Sequence, residues 1–344
     1  MLRGKFATAA TVLTVIGAGL AAMAQAQPVG DFYKGRQITL IIGGGPGDGY
    51  DTHARLLARH ISRHIPGEPG IVPQNMPGAG SLTAVNHVYN VAPKDGTALG
   101  TAQRFITIMP LLGMDGVRFD ATKLTYLGST GKETAICISW KGKGFETLDD
   151  VAGREMLIGT MGRGTELTNF SQTLSKTLGL KLKVISGYGS SAQINLAIER
   201  GELNGRCGVS YDSLRLTRQD WLDEKKINVL VQVGLSRVPE LKDTPFLLDL
   251  LKEGEEKSAV ELLLAPSEAS RPFFAPPGLP PERTAILRTA FDATMADEAF
   301  QADARKTRLE ITPASGADIQ ALVARIYASS PAVIARARAL TQEQ

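Results

Sequence analysis

The sequence predicts an α/β protein made of two similar lobes with a ligand cleft between them. Two observations lead to this prediction. Short apolar runs enter glycine-rich loops at four points of the chain, and a helical pattern follows each loop. Two of these units precede Cys137 and two follow it. Because alternating strands and helices are typical of parallel sheets covered by helices, each lobe should hold a mainly parallel sheet flanked by helices.

The glycine-rich loops predict the kind of ligand. The strand-like runs are 37–42, 71–74, 156–158 and 182–186, and the loops after them are 43–49, 75–80, 159–164 and 187–190. Each loop would place main-chain N–H groups and the positive end of a helix dipole at one point, an arrangement that suits an anion. In open parallel sheets, ligands bind at the carboxyl ends of the strands. Two facing lobes should therefore form a cleft that binds an anion.

The helices have recognisable starts and stops. Gly179 occupies the position where a left-handed residue ends a helix, and Pro281 opens a later helix. Ser315 and Asp318 form the pattern of a capping box. The N-caps predicted for the four repeated helices are Asp51, Ser81, Thr165 and either Ser190 or Ser191.

The N-terminal segment has the pattern of an export signal. Arg3 and Lys5 precede an apolar stretch over 7–23, and 24–26 read Ala-Gln-Ala. This order is typical of a cleaved secretory signal, here 1–26, and a membrane anchor is the alternative. Removing the two cations lowers the formal charge from +3 to +1, since the segment holds no acidic residue. The mature chain then has no basic field that would indicate a nucleic-acid partner.

Cys137 and Cys207 are the two cysteines of the chain. In an exported protein they could form a disulfide. Each lies in an apolar context, so buried free thiols are the alternative. The sequence leaves this choice open.

Familiar catalytic and nucleotide-binding motifs do not fit. A P-loop reading of the first loop puts Tyr50 where the motif needs a lysine. The run around Ser210 lacks the closing glycine of a nucleophile elbow, and 187–189 has glycine where the nucleophile belongs. We therefore expect neither a catalytic residue nor a cofactor.

The pair His60 and His64 lies four residues apart, a spacing that could hold a metal ion. Ile61 stands where a metalloprotease helix would have its glutamate, and Arg59 and Arg63 adjoin the pair. We interpret this surface as a solvated basic face and expect no metal site.

Several motifs together resemble one known family. They are Gly-Asp-Gly-Tyr-Asp-Thr-His-Ala-Arg at 47–55, Asn-Met-Pro-Gly-Ala-Gly at 75–80, Pro-Lys-Asp-Gly-Thr at 93–97, and the segments 162–165, 187–192 and 275–280. In this order they resemble the motifs of the substrate-binding proteins of tripartite tricarboxylate transporters, the Bug family. The resemblance covers essentially the whole mature chain.

The resemblance implies a type II periplasmic-binding-protein-like fold. Lobe 1 would comprise 27–130 and 268–344, and lobe 2 would comprise 131–267. The protein would be a periplasmic receptor that takes a small organic carboxylate from solution. It would deliver this ligand to a membrane transporter with a large and a small integral subunit, and a monomer is the default expectation.

The resemblance also assigns ligand-binding positions. In lobe 1 these are Pro46, Gly47, Asp48, Gly49, Tyr50, Gly78, Ala79, Gly80, Ser81 and Thr101, and in lobe 2 they are Gly162, Arg163, Gly164, Thr165, Tyr188, Gly189, Ser190 and Ser191. Asp48 departs from the family pattern, which has glycine there. Its carboxylate could cap the helix and face outward, or meet a hydroxyl or cationic part of the ligand.

The function predicted from the sequence is therefore capture without catalysis. Two alternatives stay open at this stage. One is an exported hydrolase that uses Ser210 or Ser190. The other is a sensor that passes ligand occupancy to a signalling partner without transport.

Overall fold

The computed structural model describes residue 1 and residues 32–162 and 164–342. Apart from residue 1, the predicted signal segment lies outside the described residues, and so does Arg163. Helices of the described part pack on two sheets. Within these same residues, no helix has the length and apolar character needed to cross a membrane.

The first sheet belongs to lobe 1. Its strands lie in the order β11-β4-β10-β3-β1-β2. Strand β1 pairs in parallel with both β2 and β3, whereas β10 runs antiparallel to β3 and β4, and β11 antiparallel to β4. The bounds are β1 Gln37–Ile42, β2 Gly70–Asn75, β3 Ala98–Thr101, β4 Thr125–Ser129, β10 Pro272–Ala275 and β11 Ala314–Ser315.

The second sheet belongs to lobe 2, with the order β7-β6-β8-β5-β9. Strand β6 pairs in parallel with β7 and β8, and β5 runs antiparallel to β8 and β9. The bounds are β5 Ala135–Trp140, β6 Met156–Gly159, β7 Leu182–Ile185, β8 Gly205–Ser210 and β9 Ile227–Val233.

The two-lobed α/β fold is confirmed, and each sheet has one main strand direction with a minority of opposed strands. In the first sheet β10 and β11 run against β1, β2, β3 and β4, and in the second β5 runs against β6, β7, β8 and β9. The strand–loop–helix units do give parallel strands. The opposed strands β5 and β10 are those that enter a lobe directly after a crossing. Such a strand starts at the edge where the parallel strands end and therefore runs against them, and the sequence repeat does not report this.

Helices follow the strands as the repeat predicts. Their bounds are α1 Gly49–His60, α2 Leu82–Asn90, α3 Met109–Leu112, α4 Leu148–Gly153, α5 Glu166–Leu178, α6 Ser191–Glu199, α7 Tyr211–Asp223, α8 Glu255–Leu264, α9 Pro281–Ala296, α10 Glu298–Lys306, α11 Gly316–Tyr327 and α12 Pro331–Thr341. Helices α5, α6 and α7 follow the carboxyl ends of the parallel strands β6, β7 and β8, so their N-termini lie along one edge of the second sheet.

Most predicted helix ends are found in the structure. Ser190 caps α6, Ser315 and Asp318 form the capping box of α11, and Gly179 ends α5 with a φ of 67°. The prediction that Asp51 is the N-cap of α1 is wrong. Asp48 is the N-cap of α1 and accepts a hydrogen bond from the Asp51 N–H, because the helix begins one turn earlier than the apolar spacing indicates.

Aromatic side chains fill the core of each lobe. In lobe 1, Phe291 of α9 lies against Gly128 of β4, which leaves no space for a side chain at Gly128. In lobe 2, the fully buried Trp221 of α7 meets Trp140 of β5 edge to face, with ring centroids 5.2 Å apart.

Two crossing segments, 129–134 and 265–271, join the lobes and bond to each other. The Glu133 N–H donates to the Ser267 carbonyl at 3.1 Å, and the Ser270 N–H donates to the Gly131 carbonyl at 2.9 Å. Hinge motion between the lobes must bend this pair of segments, together with the turn 328–330 that leads from α11 to α12.

The last helix, α12, lies in the range assigned to lobe 1 by the predicted boundaries, yet it packs on α8 and α5 of lobe 2. Lys176 of α5 donates to the Ala339 carbonyl at 2.6 Å. A smaller contact reaches lobe 1, where the Arg338 guanidinium donates to the Leu111 carbonyl at 2.8 Å. Helix α12 therefore spans the two lobes.

A disulfide joins Cys137 of β5 to Cys207 of β8, which are register partners on neighbouring strands of the second sheet. Of the two alternatives that the sequence leaves open, the structure has the bonded form.

Because the two cysteines lie 70 positions apart, the bond restricts a long loop of the unfolded chain. Replacing both cysteines with alanine should lower the free energy of unfolding by about 2–4 kcal/mol. Denaturant unfolding followed by circular dichroism measures this change. Dithiothreitol should weaken the unaltered protein to a similar extent, and unfolding curves that coincide with and without reductant would contradict the bond.

Candidate functional site

The loop after β1 uses part of its own hydrogen-bonding capacity. The Asp48 carboxylate accepts from the Asp51 N–H at 2.8 Å, and the Asp51 carboxylate accepts from the Gly47 N–H at 2.8 Å. Asp48 also folds against Gly44, where a side chain would collide with it. Burial raises the pKa of the Asp48 carboxyl, although the Asp51 N–H and Arg271 oppose this effect. Asp48 thus acts as a helix cap here, the first of the two roles considered for it.

Three loops of lobe 1 are tied together at Ser81. Its hydroxyl donates to the Gly43 carbonyl at 3.0 Å and accepts from the Gln103 N–H at 3.0 Å. The Gly43 N–H donates to the Thr101 carbonyl at 2.8 Å. Ser81 adopts a φ of 74°, which costs a non-glycine residue about 1–3 kcal/mol. The two hydrogen bonds hold it in that conformation.

The two lobes meet where loop 78–81 faces loop 162–165. A Cβ atom added to Gly80 would lie 3.1 Å from the carbonyl oxygen of Gly164, and one added to Gly164 would lie 2.9 Å from Met114 Cε. Both glycines have a positive φ, 63° and 74°. The structure therefore brings these two predicted loops into contact.

The other lobe 2 loop, 187–190, is more open. Tyr188 packs over Gly159, and the Gly189 N–H donates to the Gln193 side chain at 2.7 Å. The Ser190 hydroxyl accepts from the Gln193 N–H at 3.3 Å and so serves as a cap. One of the main-chain donors predicted for the ligand is thus engaged inside the loop.

The predicted ligand-binding residues differ in exposure. Gly80, Ser81, Thr101 and Thr165 are buried, Asp48, Gly49, Tyr50, Gly162, Gly164, Tyr188, Ser190 and Ser191 are half-buried, and Pro46, Gly47, Gly78, Ala79 and Gly189 are exposed. Arg163 lies outside the described residues.

Four buried charged residues that the sequence analysis missed lie between the lobes. Arg104 donates to Glu133 at 2.8 Å and pairs with Glu166, and Arg271 donates to Glu133 at 2.9 Å. Their exposed fractions are 1% for Arg104, 3% for Arg271, 9% for Glu133 and 7% for Glu166. We call these four residues the interlobe charge cluster.

Each member of the interlobe charge cluster comes from a different part of the fold. Arg104 follows β3 of lobe 1, and Glu166 is the first residue of α5 in lobe 2. Glu133 and Arg271 belong to the two crossing segments. Buried ions cost several kcal/mol each unless paired, so removing one partner typically destabilises by about 3–5 kcal/mol. The cluster therefore couples the lobes to the hinge.

Tyr50 joins the predicted first loop to this cluster. Its hydroxyl accepts from the Arg104 N–H at 3.3 Å, and the Arg271 guanidinium lies 4.4 Å from the centre of its ring. Arg271 also donates to the Ser213 hydroxyl of α7 at 3.1 Å. The carboxyl ends of strands from both sheets thus converge on two buried arginines.

No protein-family model matches the sequence, and no curated protein matches it either. Solved structures do match over most of the chain. A TctC solute-binding protein from Polaromonas superposes with a TM-score of 0.62 at 17% identity, covering 90% of this chain and 98% of that one. The periplasmic binding protein BugD gives 0.68 at 19% identity, covering 86% and 95%. MatC from Rhodopseudomonas palustris, with bound malate, gives 0.67 at 17% identity, covering 89% and 99%.

The chain has the TctC/Bug fold. The resemblance drawn from the sequence motifs is therefore confirmed at the level of fold, since such low identities support the fold alone.

In this TctC/Bug fold, Asp212 and His53 line a small cavity beside Arg271. The cavity holds about 20 Å³, close to the volume that one water molecule needs. Burial raises the pKa of Asp212 to about 6, with Glu133 and Glu310 adding repulsion. Burial and the charge of Arg271 lower the pKa of His53 to about 3. Its ring nitrogen Nδ1 lies 2.9 Å from the Thr130 hydroxyl.

A third buried arginine lies under the first turn of α6. Arg206 bonds to the Asn195 side chain at 2.8 Å and the Ser191 hydroxyl at 3.1 Å. Burial lowers its pKa to about 10. Its charge adds to the positive end of the α6 dipole, so loop 187–190 has a positive potential that its own residues do not supply.

The sequence analysis expected a solvated basic face on α1, but the structure shows a face that is only partly solvated, because its histidines and arginines pair with Asp297 and Asp303. His60 Nε2 lies 3.0 Å from Asp303, and His64 Nε2 lies 2.8 Å from Asp297. Asp297 is the N-cap of α10 and Asp303 lies within that helix. The two histidines therefore attach α1 and the turn after it to α10. Among the described residues, no group of three or more potential ligands could hold a metal ion.

Asp212 gives a test of the electrostatics of the site. Its folded pKa of about 6 exceeds the unfolded value of roughly 4, so the native state binds more protons between these values. Stability should therefore fall as the pH rises from about 4 to about 6.

Asp212→Asn should remove this part of the pH dependence and be more stable than the unaltered protein at neutral pH. Thermal unfolding across this pH range and at neutral pH measures both effects. Asp220→Asn, at an exposed position on the same helix, is the control and should leave the pH profile unchanged. Parallel profiles for Asp212→Asn and the unaltered protein would contradict the assignment.

Proposed function

We propose that the protein is a solute receptor that binds a small organic carboxylate between its two lobes. The observation that carries this proposal is the convergence of loops from both lobes on buried arginines at the hinge. Loop 78–81 meets loop 162–165, while Arg104 and Arg271 lie at the junction of the crossing segments. Guanidinium groups bind carboxylates through strong charge-assisted hydrogen bonds. A hinge between two lobes supplies the motion that encloses a ligand.

The fold supports the same proposal. Proteins of known structure with this fold include a solute-binding protein and a protein with bound malate. Our proposal extends this role to the present chain. The N-terminal signal would direct its export to the periplasm, and the receptor would deliver its ligand to a tripartite tricarboxylate-type transporter with a large and a small integral subunit. The receptor would act as a monomer and without a cofactor.

Ligand capture should be visible as stabilisation. A carboxylate present at 100 times its dissociation constant should raise the free energy of unfolding by about 2.7 kcal/mol. A thermal-shift screen would use malate, adipate, nicotinate and acidic amino acids, with sodium chloride at equal ionic strength as the control. A protein that no carboxylate stabilises, or that converts the bound compound, would contradict the receptor proposal.

The contact between the lobes gives a second test. Gly80→Ala would place a methyl group against the Gly164 carbonyl and so hinder closure. We expect the affinity for the carboxylate found in the screen to fall about tenfold, which corresponds to about 1.4 kcal/mol. Isothermal titration measures this loss.

Gly179→Ala is a matched control, because Gly179 has a similar φ of 67° with open space around it. Both variants carry the same backbone strain, and the control should keep its affinity. Equal affinities in the two variants would show that the contact at Gly80 is irrelevant to binding.

A further inference from the structure

We propose that Glu166 and the carboxylate of the ligand compete for the same guanidinium group, that of Arg104. This inference rests on the proposed function and deepens it, because it assigns the residue that binds the ligand's charge. Glu166 would hold Arg104 until a ligand carboxylate replaces it.

Arg104 is placed to bind a carboxylate that comes from the other lobe. It follows β3 of lobe 1, and its guanidinium pairs through Nη2 with Glu166 at the start of α5 in lobe 2. Its other terminal nitrogen, Nη1, donates to Glu133 at 2.8 Å. The two nitrogens therefore hold two separate carboxylates, one at the hinge and one across the cleft.

The two carboxylates differ in how firmly they are held. Glu133 lies in a crossing segment between Arg104 and Arg271, and its N–H is bonded to the Ser267 carbonyl of the other crossing segment. Glu166 belongs to lobe 2, so its distance from Arg104 changes whenever the lobes hinge apart. Opening would leave Glu133 on Arg104 and withdraw Glu166.

The lack of space between the lobes also indicates that Glu166 must move away from Arg104 when a ligand binds. Loop 78–81 touches loop 162–165, and the cavity beside Arg271 holds about 20 Å³. Pockets for small molecules are usually about 300 Å³ or more. A ligand must therefore separate the loops, and Glu166 directly follows one of them along the chain.

Charge balance indicates what replaces Glu166. With Glu166 withdrawn, Arg104 and Arg271 carry two positive charges against one on Glu133. The charge of Arg271 already acts on the carboxyl groups of Asp48 and Asp212. A ligand with a free carboxylate would restore the partner that Arg104 loses, whereas a neutral ligand would leave a desolvated cation incompletely paired.

A first experiment uses acetate as the smallest carboxylate. Glu166→Ala removes the internal carboxylate, so acetate should raise the melting temperature of this variant more than equimolar chloride does. The unaltered protein should respond much less. Glu256→Ala, which breaks a half-exposed ion pair with Arg336, is the matched control and should show no preference for acetate. Equal responses of Glu166→Ala and the unaltered protein would overturn the proposal.

A second experiment measures the dissociation constants of malate and adipate by titration calorimetry. Glu166→Gln keeps the size of the side chain and removes its charge, so the better-bound acid should bind about tenfold tighter. Arg104→Gln should weaken binding at least as much. In the double variant the gain from Glu166→Gln should disappear, because the competition requires Arg104.

The outcomes separate this inference from the proposed function. If a carboxylate binds and Glu166→Gln leaves its affinity unchanged or weaker, the receptor proposal stands and the competition does not. If acetate rescues Glu166→Ala but no larger carboxylate binds any variant, Arg104 is a carboxylate site and the proposed ligand class is wrong. Circular dichroism spectra of each variant exclude misfolding as the cause, and Glu166→Gln provides the test if Glu166→Ala fails to fold.

Discussion

Two buried guanidinium groups, those of Arg104 and Arg271, determine how the lobes of this protein meet. A buried cation needs a carboxylate partner, because the cost of removing it from water otherwise exceeds what the surrounding packing returns. Glu133 satisfies both arginines from the hinge, and Glu166 reaches Arg104 from the second lobe. The relative position of the lobes is therefore set by charge pairing together with apolar contact, since Phe105 of lobe 1 meets Phe170 of α5 edge to face, with ring centroids 6.1 Å apart. Such pairing is directional, so it specifies one closed arrangement.

This interaction changes how anion binding is explained. The glycine-rich loops suggested main-chain N–H groups as the donors. In the structure the Gly47 and Gly189 N–H groups are bonded to the side chains of Asp51 and Gln193. The loops bring the helix N-termini and the lobe surfaces together, whereas buried arginines supply the strongest positive charges. Loop geometry and side-chain charge thus have separate roles at the site.

Much of the fold could be predicted from local patterns. Gly179, Ser190 and the pair Ser315–Asp318 mark helix ends through hydrogen bonds within a few residues, so the sequence shows them directly. The antiparallel strand β10 and the docking of α12 on lobe 2 depend on contacts between distant segments, and no local pattern encodes them.

The interlobe charge cluster was missed for a related reason. Arg104 and Glu166 are 62 positions apart, and nothing in the spacing of the sequence joins them. The sequence does contain a weak signal for buried arginines. Arg104 directly precedes the largely apolar run 105–109, and Arg206 lies between Gly205 and Cys207 of a buried strand. A lone arginine in a segment predicted to be buried must find a polar partner, because an unpaired buried charge is costly.

The distribution of polar and apolar contacts also bears on how the cleft could open. Helix α12 packs its buried Ala337 and Leu340 with lobe 2, whereas Arg338 holds lobe 1 through the Leu111 carbonyl. Moving with lobe 2 would preserve that apolar packing and break a hydrogen bond that water can replace at a net cost of about 1 kcal/mol. The pair Arg104–Glu166 is likewise polar, and its charges regain hydration when the cleft admits water. Opening therefore exchanges these polar contacts for water, but it also separates Phe105 from Phe170 of α5, so some apolar surface between the lobes becomes exposed. A ligand that controls the hinge must offset this cost through its differential affinity for the two arrangements.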